Sequence, residues 1–517
     1  MDKRTSYGRV NHYIGSVLFL LVLVVAIGMR VWQLGTLPPG VGLHEAQWAL
    51  SSMLVSQGAS IGGVFNGTNA GFAAHVLSGA AVACLEASIL TLRYLSALWG
   101  VLAVVGLYVW VKDAFGRRPA LLTSFFMAVS PWSVTLSRSF VPVNLAIFAL
   151  VWLCVCVQRA YKTGHWAYWI GSVFFMVLGC FSARLFWLVP VVFALSLPVL
   201  FLQKKLAKGK VLVLVGVALS SLFVIVPLLA ITVLGSGNPT SGLLGRSTSV
   251  ASVVVNFVSN GLENTGKTFL MFFWRGDENY TNNLAGMPML NTFAALMFLL
   301  GIMLAITRRS PAIYVFLLIA LGVLLLPGIV SPSIAAPDAY RTALAIPIVF
   351  VLVGIGTNYL LTRWYGMFPI NSTARSLGLS LVILIMLLSA YQAYRQYFVA
   401  WAQDPQTFVA YREDLLVAAR SLDDDANKVF VIAGKSEQAA LIVARGLPLD
   451  RKVGGSIEEL EQLPLNAKPS KVIIPADALA PQTELKRRLE AKYPGGSYQS
   501  TKSPFNERQI LVWYKTK

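Results

Sequence analysis

Long uninterrupted apolar runs constrain the fold of this chain more than any other feature. A helix needs about 20 apolar residues to cross a bilayer. In lipid, the backbone polar groups of such a run find no water, so the run folds as a helix. Eleven runs approach or reach this length: 14–34, 94–111, 118–133, 141–160, 166–181, 184–202, 210–234, 290–307, 311–328, 342–362 and 376–397.

The composition agrees with a polytopic α-helical membrane protein. Hydrophobic residues make up 56% of the 517 residues and charged residues 13%, whereas about 25% of a soluble domain is charged. These fractions exclude a soluble globular enzyme and a disordered chain. No small-residue cleavage site follows Ile27, so the first run is predicted to be an uncleaved anchor and not a signal peptide.

The distribution of charge predicts the orientation. Only 17 of the 42 basic residues lie from residue 400 onward, with 15 of the 23 acidic residues, so +17 of the net charge of +19 belongs to the apolar part before residue 400. This pattern indicates positive-inside loops and not nucleic-acid binding. If the apolar segment 72–90 lies at the membrane–water interface and does not span the membrane, every short basic loop falls on the cytoplasmic side. We therefore predict a multi-pass plasma-membrane protein with a cytoplasmic N-terminus and extracytoplasmic loops at 35–93 and 235–289.

The chain changes character near residue 400. The segments VFVIAG and KVIIP are typical of buried strands, and ERQILVWYK alternates like a final strand. Helical patterns lie at 405–422 and 482–492. We predict a transmembrane domain at 1–398 and a soluble extracytoplasmic α/β domain at 399–517. The latter shows no glycine-rich phosphate loop.

Ionisable residues of the membrane part gather on one side. Residues 1–399 contain eight carboxylates, and six of them fall on the predicted extracytoplasmic side. Such groups at membrane depth are costly and usually mark function. Together with a few arginines there, they predict the handling of a lipid-linked anionic substrate at the outer surface. The six are Glu45, Glu86, Glu263, Asp277, Glu278 and Asp338.

A short helix is predicted to open at His44-Glu45 in the first loop, LPPGVGLHEAQWALSSMLVSQG. An acidic residue at this position can favour the helix dipole. It can also act as a general base whose pKa is raised by apolar surroundings. The spacing of the residues leaves both interpretations open.

Several motifs occur in the order found in one family of membrane enzymes. They are the first-loop segment above, ILTLRYLSALWGVL, SPWSVTLSRSFVPVNLAIF, MFFWRGDENYTNNLAGMPML and APDAYRTALAIPIVFVLVGIG. In these segments the chain resembles the bacterial GT-C glycosyltransferases of the protein O-mannosyltransferase-like branch, glycosyltransferase family 39. The resemblance implies a GT-C fold of about eleven transmembrane helices. It also implies a mannosyltransferase-like hexosyltransferase that moves a sugar from a polyprenyl-phosphate carrier to an extracytoplasmic acceptor in the membrane.

The departures from this family leave two functions open. The first-loop Asp-Glu pair is His44-Glu45 here, an acidic position after the arginine motif is Asn144, and a histidine is Asp338. Either Glu45 or His44 serves as base in a metal-independent transfer, or the chain is a catalytically impaired relative. Such a relative would bind lipid-linked glycans or scaffold cell-envelope assembly.

The resemblance also implies roles for individual residues. We expect Arg341, Arg138 and Arg93 to bind the phosphate of the donor, and Asp277 and Asn279 to orient sugar hydroxyls. Trp274 is expected to stack on a sugar ring, and Asp338 and Asn144 complete the substrate-binding set. No cofactor is established by the sequence. A divalent metal is left open, and its only plausible ligands are Glu45, Asp277 and Asp338.

Overall fold

A computed structural model describes most of the chain. The described residues are 3–58, 71–202, 250–308, 312–331, 336–420, 422, 429–445, 454–463, 469–475, 482–502 and 509–516. The predicted span 210–234 and the first part of the predicted loop 235–289 lie outside them.

Helices dominate the described residues, and strands occur only toward the C-terminus. The helices are α1 (Lys3–Val31), α2 (Leu43–Ser56), α3 (Phe72–Cys84), α4 (Ile89–Phe115), α5 (Arg117–Val129), α6 (Pro131–Arg138), α7 (Val143–Thr163), α8 (Trp166–Ser182), α9 (Leu188–Leu202), α10 (Val250–Leu270), α11 (Thr292–Thr307), α12 (Ala312–Ile329), α13 (Ile346–Met367), α14 (Ser372–Tyr394), α15 (Pro405–Ala410), α16 (Glu413–Arg420), α17 (Lys435–Arg445), α18 (Ile457–Gln462) and α19 (Gln482–Lys492). Two 3-10 turns (Arg184–Trp187 and Ala343–Ala345) precede α9 and α13, and a π-helical segment (Arg395–Trp401) follows α14. The strands are β1 (Val429–Ile432), β2 (Gly454–Gly455), β3 (Lys471–Pro475), β4 (Ser497–Lys502) and β5 (Gln509–Lys515).

The described helices confirm a polytopic membrane fold. Six are long and apolar enough to span a bilayer, and the α5–α6 pair, bent by 57°, makes a seventh if it is one span. Four shorter apolar helices accompany them. The predicted total of eleven spans stays a prediction. The six are Tyr13–Val31, Ile89–Phe115, Val143–Thr163, Ala312–Ile329, Ala343–Met367 and Ser372–Trp401.

A buried arginine stabilises the bend between α5 and α6. Pro131 cannot donate a backbone hydrogen bond, so it begins a new helix and leaves the last carbonyls of α5 without helical partners. The Arg30 side chain, fully buried, donates to the carbonyl oxygens of Ala128 at 3.0 Å and Met127 at 3.5 Å. It also donates to Ser133 Oγ at 2.9 Å. The guanidinium therefore caps the C-terminus of α5, where a positive charge is favourable.

Glycines bring α11 and α13 into close contact. A Cβ at Gly301 would lie 2.2 Å from the carbonyl oxygen of Leu352, and one at Gly356 would lie 2.1 Å from that of Met297. Small residues of this kind allow membrane helices to approach closely. The close packing fixes two helices whose N-terminal ends carry the polar loops described below.

The chain divides into two compact units. The first contains α1, the start of α3, the part of α4 from Ser96 onward, and the elements through Tyr397. The second contains α2, α3 from His75, the first turns of α4 through Leu95, and everything described after Tyr397. The elements of the predicted loop 35–93 thus cluster largely with the C-terminal region, a grouping different from the division predicted at residue 398.

The second unit contains the predicted α/β fold. Its five strands form one sheet in the order β2-β1-β3-β5-β4. β1 is parallel to β2 and β3, and β5 is antiparallel to β3 and β4. The strands predicted from VFVIAG, KVIIP and ERQILVWYK are therefore confirmed as β1, β3 and β5. Val472 and Ile474 pack with Leu485 and Leu489 in the core beneath the sheet.

The first-loop helix α2 packs against α17 within this unit. Gln47 Nε2 donates to Ser436 Oγ at 2.9 Å. Nearby, Arg412 forms buried ion pairs with Asp414 at 2.9 Å and Glu437 at 2.5 Å. These contacts tie the segment after Tyr397 to the α/β elements.

Gly40 is predicted to tolerate no side chain, because a Cβ there would lie 2.2 Å from the backbone carbonyl oxygen of Tyr411. A backbone atom cannot move aside as a side chain can. We expect Gly40→Ala to lower the free energy of unfolding by about 1–3 kcal/mol, measured as a lower melting temperature of the purified protein. Gly42→Ala is the matched control, since nothing lies within 4 Å of a Cβ at that position. Equal melting temperatures for the two variants would contradict this packing.

Candidate functional site

The loop between α10 and α11 is organised around Asp277. The carboxylate is 5% exposed. Oδ1 accepts from the backbone N–H of Asn279 at 2.8 Å, and Oδ2 accepts from Asn282 Nδ2 at 3.0 Å. Oδ2 also accepts from the backbone N–H of Ala339 at 2.9 Å. Asp277 therefore joins its own loop to the segment that precedes α13.

That segment holds Arg341 in a fixed position. Asp338 accepts from the backbone N–H of Arg341 at 2.9 Å and forms an ion pair with its Nε at 3.1 Å. Arg341 Nη1 donates to Ser331 Oγ at 2.9 Å. The Arg341 side chain is 19% exposed, so its guanidinium is both fixed and accessible.

Helix α6, which follows the bend after α5, also contacts the segment before α13. Trp132 is 1% exposed, and its Nε1 donates to the carbonyl oxygen of Ala339 at 2.9 Å. Ala339 is thus held through its N–H by Asp277 and through its carbonyl by Trp132. We call Asp277, Asp338 and Arg341, with Ala339 between them, the Arg341 cluster.

The two carboxyl groups of the cluster have perturbed acidities. Burial, followed by the negative charge of Asp338, raises the pKa of Asp277 from 3.8 to about 6. Burial also raises the pKa of Asp338, although hydrogen bonding and the charge of Arg341 oppose the increase. Carboxyl groups perturbed in this way are more frequent at functional sites than elsewhere.

The pKa of Asp277 predicts a pH dependence of stability. Because the folded protein binds this proton more tightly than the unfolded chain, the stabilising contribution is present at low pH. It is lost as the pH rises from about 4 through about 6. We expect the melting temperature of Asp277→Asn to change less than that of the wild type across this range. Parallel curves for the two proteins would contradict the assigned proton, and Glu278→Gln, exposed in the same loop, is the control.

The structure places Arg138 and Asn144 in buried positions within the first unit. Arg138 is fully buried, and its Nε donates to Tyr397 Oη at 3.1 Å and its Nη1 to the Met29 carbonyl at 3.1 Å. Asn144 Nδ2 donates to Ser96 Oγ at 2.8 Å and to the Leu136 carbonyl at 2.5 Å. Both side chains therefore connect helices, and their substrate-binding roles stay predictions.

In the second unit, Glu45 and Arg93 bind each other. Arg93 Nε and Nη2 donate to the two carboxylate oxygens of Glu45 at 2.9 and 2.8 Å, and both side chains are 4% exposed. Arg93 Nη2 also donates to the Gly40 carbonyl at 2.6 Å. This bidentate pair joins the first loop to α4. To act as a base, Glu45 would need the carboxylate that Arg93 binds. To bind a phosphate, Arg93 would need the guanidinium that Glu45 binds.

Three of the predicted residues have exposed side chains. His44, next to Glu45 at the start of α2, is exposed, whereas Glu45 is buried. Trp274 is 79% exposed, and Asn279 is also exposed. Asn279 Oδ1 accepts from the backbone N–H and the hydroxyl of Thr281 at 3.0 and 2.9 Å, so it orders the tip of the Asp277 loop.

The described residues fit a divalent metal poorly. Among them, no three His, Cys, Asp or Glu side chains are grouped closely enough to bind a metal ion. Hard divalent cations prefer several oxygen ligands in one shell. Asp277, one of the predicted ligands, already accepts three N–H groups through its two oxygens. Its carboxylate is therefore engaged in holding the loop to the segment before α13.

A largely apolar cavity of about 340 Å³ lies in the first unit beside the Asp277 loop. Phe126 of α5, Phe273 and Met289 of the loop, and Phe350 of α13 line it. Helix α14 contributes polar side chains to the lining of this cavity, including Gln392. The same loop thus contributes to the Arg341 cluster and to a cavity of apolar lining.

The comparisons with known proteins agree with a glycosyltransferase fold. The family described as dolichyl-phosphate-mannose-protein mannosyltransferase matches residues 75–231. No curated protein matches the sequence. ArnT from Cupriavidus metallidurans, solved bound to undecaprenyl phosphate, is 13% identical with a TM-score of 0.56, covering 97% of each chain.

Archaeal oligosaccharyltransferase structures are similar to the chain as well. The enzyme of Archaeoglobus fulgidus, solved with a tethered acceptor peptide, is 12% identical with a TM-score of 0.53; the match covers 98% of this chain and 74% of that one. The structure of the oligosaccharyltransferase AglB from Archaeoglobus fulgidus, in complex with an inhibitory peptide and a dolichol-phosphate, matches with equal identity, coverage and TM-score. The chain is therefore a multi-pass membrane protein with the fold of the GT-C glycosyltransferases.

Proposed function

We propose that the chain transfers a sugar from a polyprenyl-phosphate-linked donor to an extracytoplasmic acceptor, as a mannosyltransferase-like enzyme. The family match over residues 75–231 supports sugar transfer. The similar structures support the donor class, since ArnT was solved with undecaprenyl phosphate and AglB with a dolichol-phosphate. The positive-inside pattern supports a plasma-membrane protein with the N-terminus in the cytoplasm.

The fixed and accessible guanidinium of Arg341 is the observation that carries this proposal. Its Nε binds Asp338 and its Nη1 binds Ser331, while among the described residues no partner binds its Nη2. Arginine is suited to phosphate because its planar donors match phosphate oxygens. We assign Nη2 to an oxygen of the donor phosphate.

The proposed reaction is an inverting transfer. The acceptor hydroxyl oxygen attacks the anomeric carbon of the sugar and forms the new glycosidic bond. The bond from that carbon to the phosphate oxygen breaks, and its electron pair leaves with the polyprenyl phosphate. Arg341 stabilises the charge that develops on this phosphate. The hydroxyl proton passes to a base.

We assign the base to His44 in preference to Glu45. Glu45 is buried in its bidentate pair with Arg93, whereas His44 is exposed. A neutral imidazole nitrogen can accept a proton from a hydroxyl group. In this proposal His44 replaces the family's aspartate as the proton acceptor. Glu45 matches the family's glutamate and has a structural role in its pair with Arg93.

The apolar cavity supports a lipid carrier as substrate. Phe126, Phe273 and Phe350 in its lining are suited to an isoprenoid chain, which has no polar atoms beyond its phosphate. We propose that the first isoprene units of the donor occupy this cavity. The exposed side chains of Trp274 and Asn279 are proposed to contact the sugar.

The proposal is tested by incubating the purified full-length protein with a panel of polyprenyl-phosphate sugars and candidate acceptors, and by following the release of polyprenyl phosphate. Parallel reactions contain a divalent cation or a chelator. We expect release with at least one donor and an equal rate in both conditions. Absence of release with every donor would contradict the proposed enzyme.

A second function is favoured by the engagement of Glu45. Because the only acidic residue of the family's first-loop pair is held by Arg93, the chain could bind a lipid-linked glycan without turnover and act in cell-envelope assembly. This non-catalytic function predicts saturable donor binding without release. Release by the wild-type protein separates the two functions, and substitution of His44 then tests the assigned base.

We expect His44→Ala to lower the rate of polyprenyl phosphate release by about a hundredfold or more, as for loss of a general base. Donor affinity should remain within about twofold of the wild type, because the phosphate contact is assigned to Arg341. Release rates and donor binding are measured on the same preparation. Gln57→Ala, at the other end of α2, is the control. An unchanged release rate in His44→Ala would exclude His44 as the base.

A further inference from the structure

A second cavity lies at the C-terminal ends of α11 and α13. The N-terminal ends of these two helices follow the Asp277 loop and the Arg341 cluster, respectively. Its volume is about 670 Å³. Leu304 and Arg308 at the end of α11, Tyr314 at the start of α12, and Tyr359 and Arg363 near the end of α13 line it. This cavity belongs to the first unit and has no part in the transfer proposed above.

Its position relative to the membrane follows from helix length. α13 begins shortly after Arg341 and has 22 residues. At about 1.5 Å per residue this corresponds to about 33 Å, close to the hydrocarbon thickness of a bilayer. The cavity therefore opens at the other membrane face from the Arg341 cluster, on the side of the basic loops.

The charge of the cavity is positive. Arg308 and Arg363 contribute two guanidinium groups, and none of the described lining residues is acidic. Within the described part of the chain neither arginine forms an ion pair. Asn358 and Thr362 add polar side chains to the same wall. An arrangement of two cations and neutral polar groups is complementary to a phosphate ester.

Tyr359 contacts both guanidinium groups. The Arg308 and Arg363 guanidinium carbons lie 5.4 and 5.1 Å from the centre of its ring, and Arg363 Nε donates to its hydroxyl at 2.9 Å. Contacts of this kind orient a guanidinium without neutralising its charge. Both guanidinium groups thus contact the same tyrosine before any anion binds.

The rim of the cavity indicates a lipid and not a soluble ester. Met367, in the lining, is 63% exposed, and Met303 and Ile306, in the last turns of α11, which also supplies the lining residue Leu304, are 50% and 51% exposed. Exposed apolar side chains on a membrane helix face acyl chains. A ligand with a phosphate head and acyl chains would satisfy both surfaces.

We propose that this cavity binds the head group of an anionic phospholipid, with its phosphate contacting Arg308 and Arg363. Basic pockets between membrane helices on the cytoplasmic side commonly bind such head groups. The bound lipid would tie the ends of α11 and α13 together through one phosphate. Binding here is independent of sugar transfer and can be measured in its absence.

The test is a lipid titration of the delipidated full-length protein, followed by native mass spectrometry. Dioleoylphosphatidylglycerol is the probe, dioleoylphosphatidylcholine is the zwitterionic comparison, and glycerol 3-phosphate is the soluble competitor. We expect the Arg308→Ala/Arg363→Ala variant to bind phosphatidylglycerol about thirtyfold more weakly than the wild type. The single variants Arg308→Gln and Arg363→Gln should each lose about fivefold and serve if the double variant does not fold.

The chain offers a matched control. Arg118 and Arg375 also lie over one tyrosine ring, that of Tyr365, at 5.6 and 5.1 Å, and neither belongs to the described lining of the cavity. The Arg118→Ala/Arg375→Ala variant removes the same charge and should keep wild-type affinity. Equal losses in the two double variants, or no loss in either, would overturn the proposal. Displacement of the lipid by millimolar glycerol 3-phosphate would assign the cavity to a soluble ester and overturn the lipid assignment.

Discussion

Replacing Arg341 with alanine is expected to lower the rate of polyprenyl phosphate release by at least about a hundredfold, because the substitution removes the cation that stabilises the leaving phosphate. Donor affinity should fall in the same variant, since the contact to the phosphate already exists in the bound donor. Both quantities are obtained from release kinetics over a range of donor concentrations. A variant with wild-type kinetics would exclude the assigned phosphate contact.

Two further variants make this result specific. Arg341→Lys keeps the charge but loses the planar donors, so its activity should lie between those of the wild type and Arg341→Ala. Arg275 is the matched control, because its side chain is 70% exposed and forms its ion pair with the exposed Glu278 of the same loop. Arg275→Ala should retain wild-type release. A loss as large as that of Arg341→Ala would indicate a general charge effect.

Removing one partner of the Glu45–Arg93 pair is expected to destabilise the second unit strongly. Glu45→Ala leaves the Arg93 guanidinium buried without its carboxylate, at a cost of about 3–5 kcal/mol. The measurement is the free energy of unfolding, or the melting temperature where unfolding is irreversible. Glu278→Ala breaks an exposed pair in the same chain and should cost about 1 kcal/mol at most.

A double variant separates a structural role of this pair from a catalytic one. Replacing both partners by apolar residues of similar volume, as in Glu45→Leu/Arg93→Met, should restore a large part of the lost stability. If Glu45 is not the base, the double variant should also recover sugar transfer. Restored stability without recovered transfer would assign a role in the reaction to Glu45 or to Arg93 and contradict a purely structural pair.

The sequence was sufficient to predict the elements that carry local signals. Apolar runs predicted the membrane helices, and short β-branched runs predicted β1, β3 and β5. Asp277 and Arg341 were found because charged groups near apolar runs are rare, and the structure brings both into one cluster. Asp338, at a position where the resemblance implied histidine, forms an i,i+3 ion pair with Arg341.

Contacts between distant positions could not be predicted from the sequence. Glu45 and Arg93 were assigned separate roles because no local pattern indicates that residues 48 positions apart form one pair. Arg30 likewise gave no sign that it caps α5, 98 positions away at Ala128, since this depends on the bend at Pro131. The clustering of α2 with the C-terminal elements depends on packing that only the folded chain shows.

The stoichiometry of the reaction tests the proposed sugar transfer most directly. A donor labelled in its sugar is incubated with membranes that contain the protein, and transferred label and polyprenyl phosphate are counted together. We predict one polyprenyl phosphate released for each sugar transferred, and at least about a hundredfold less of both products with Arg341→Ala. Saturable donor binding without either product would contradict sugar transfer and leave a protein that only binds lipid-linked glycans.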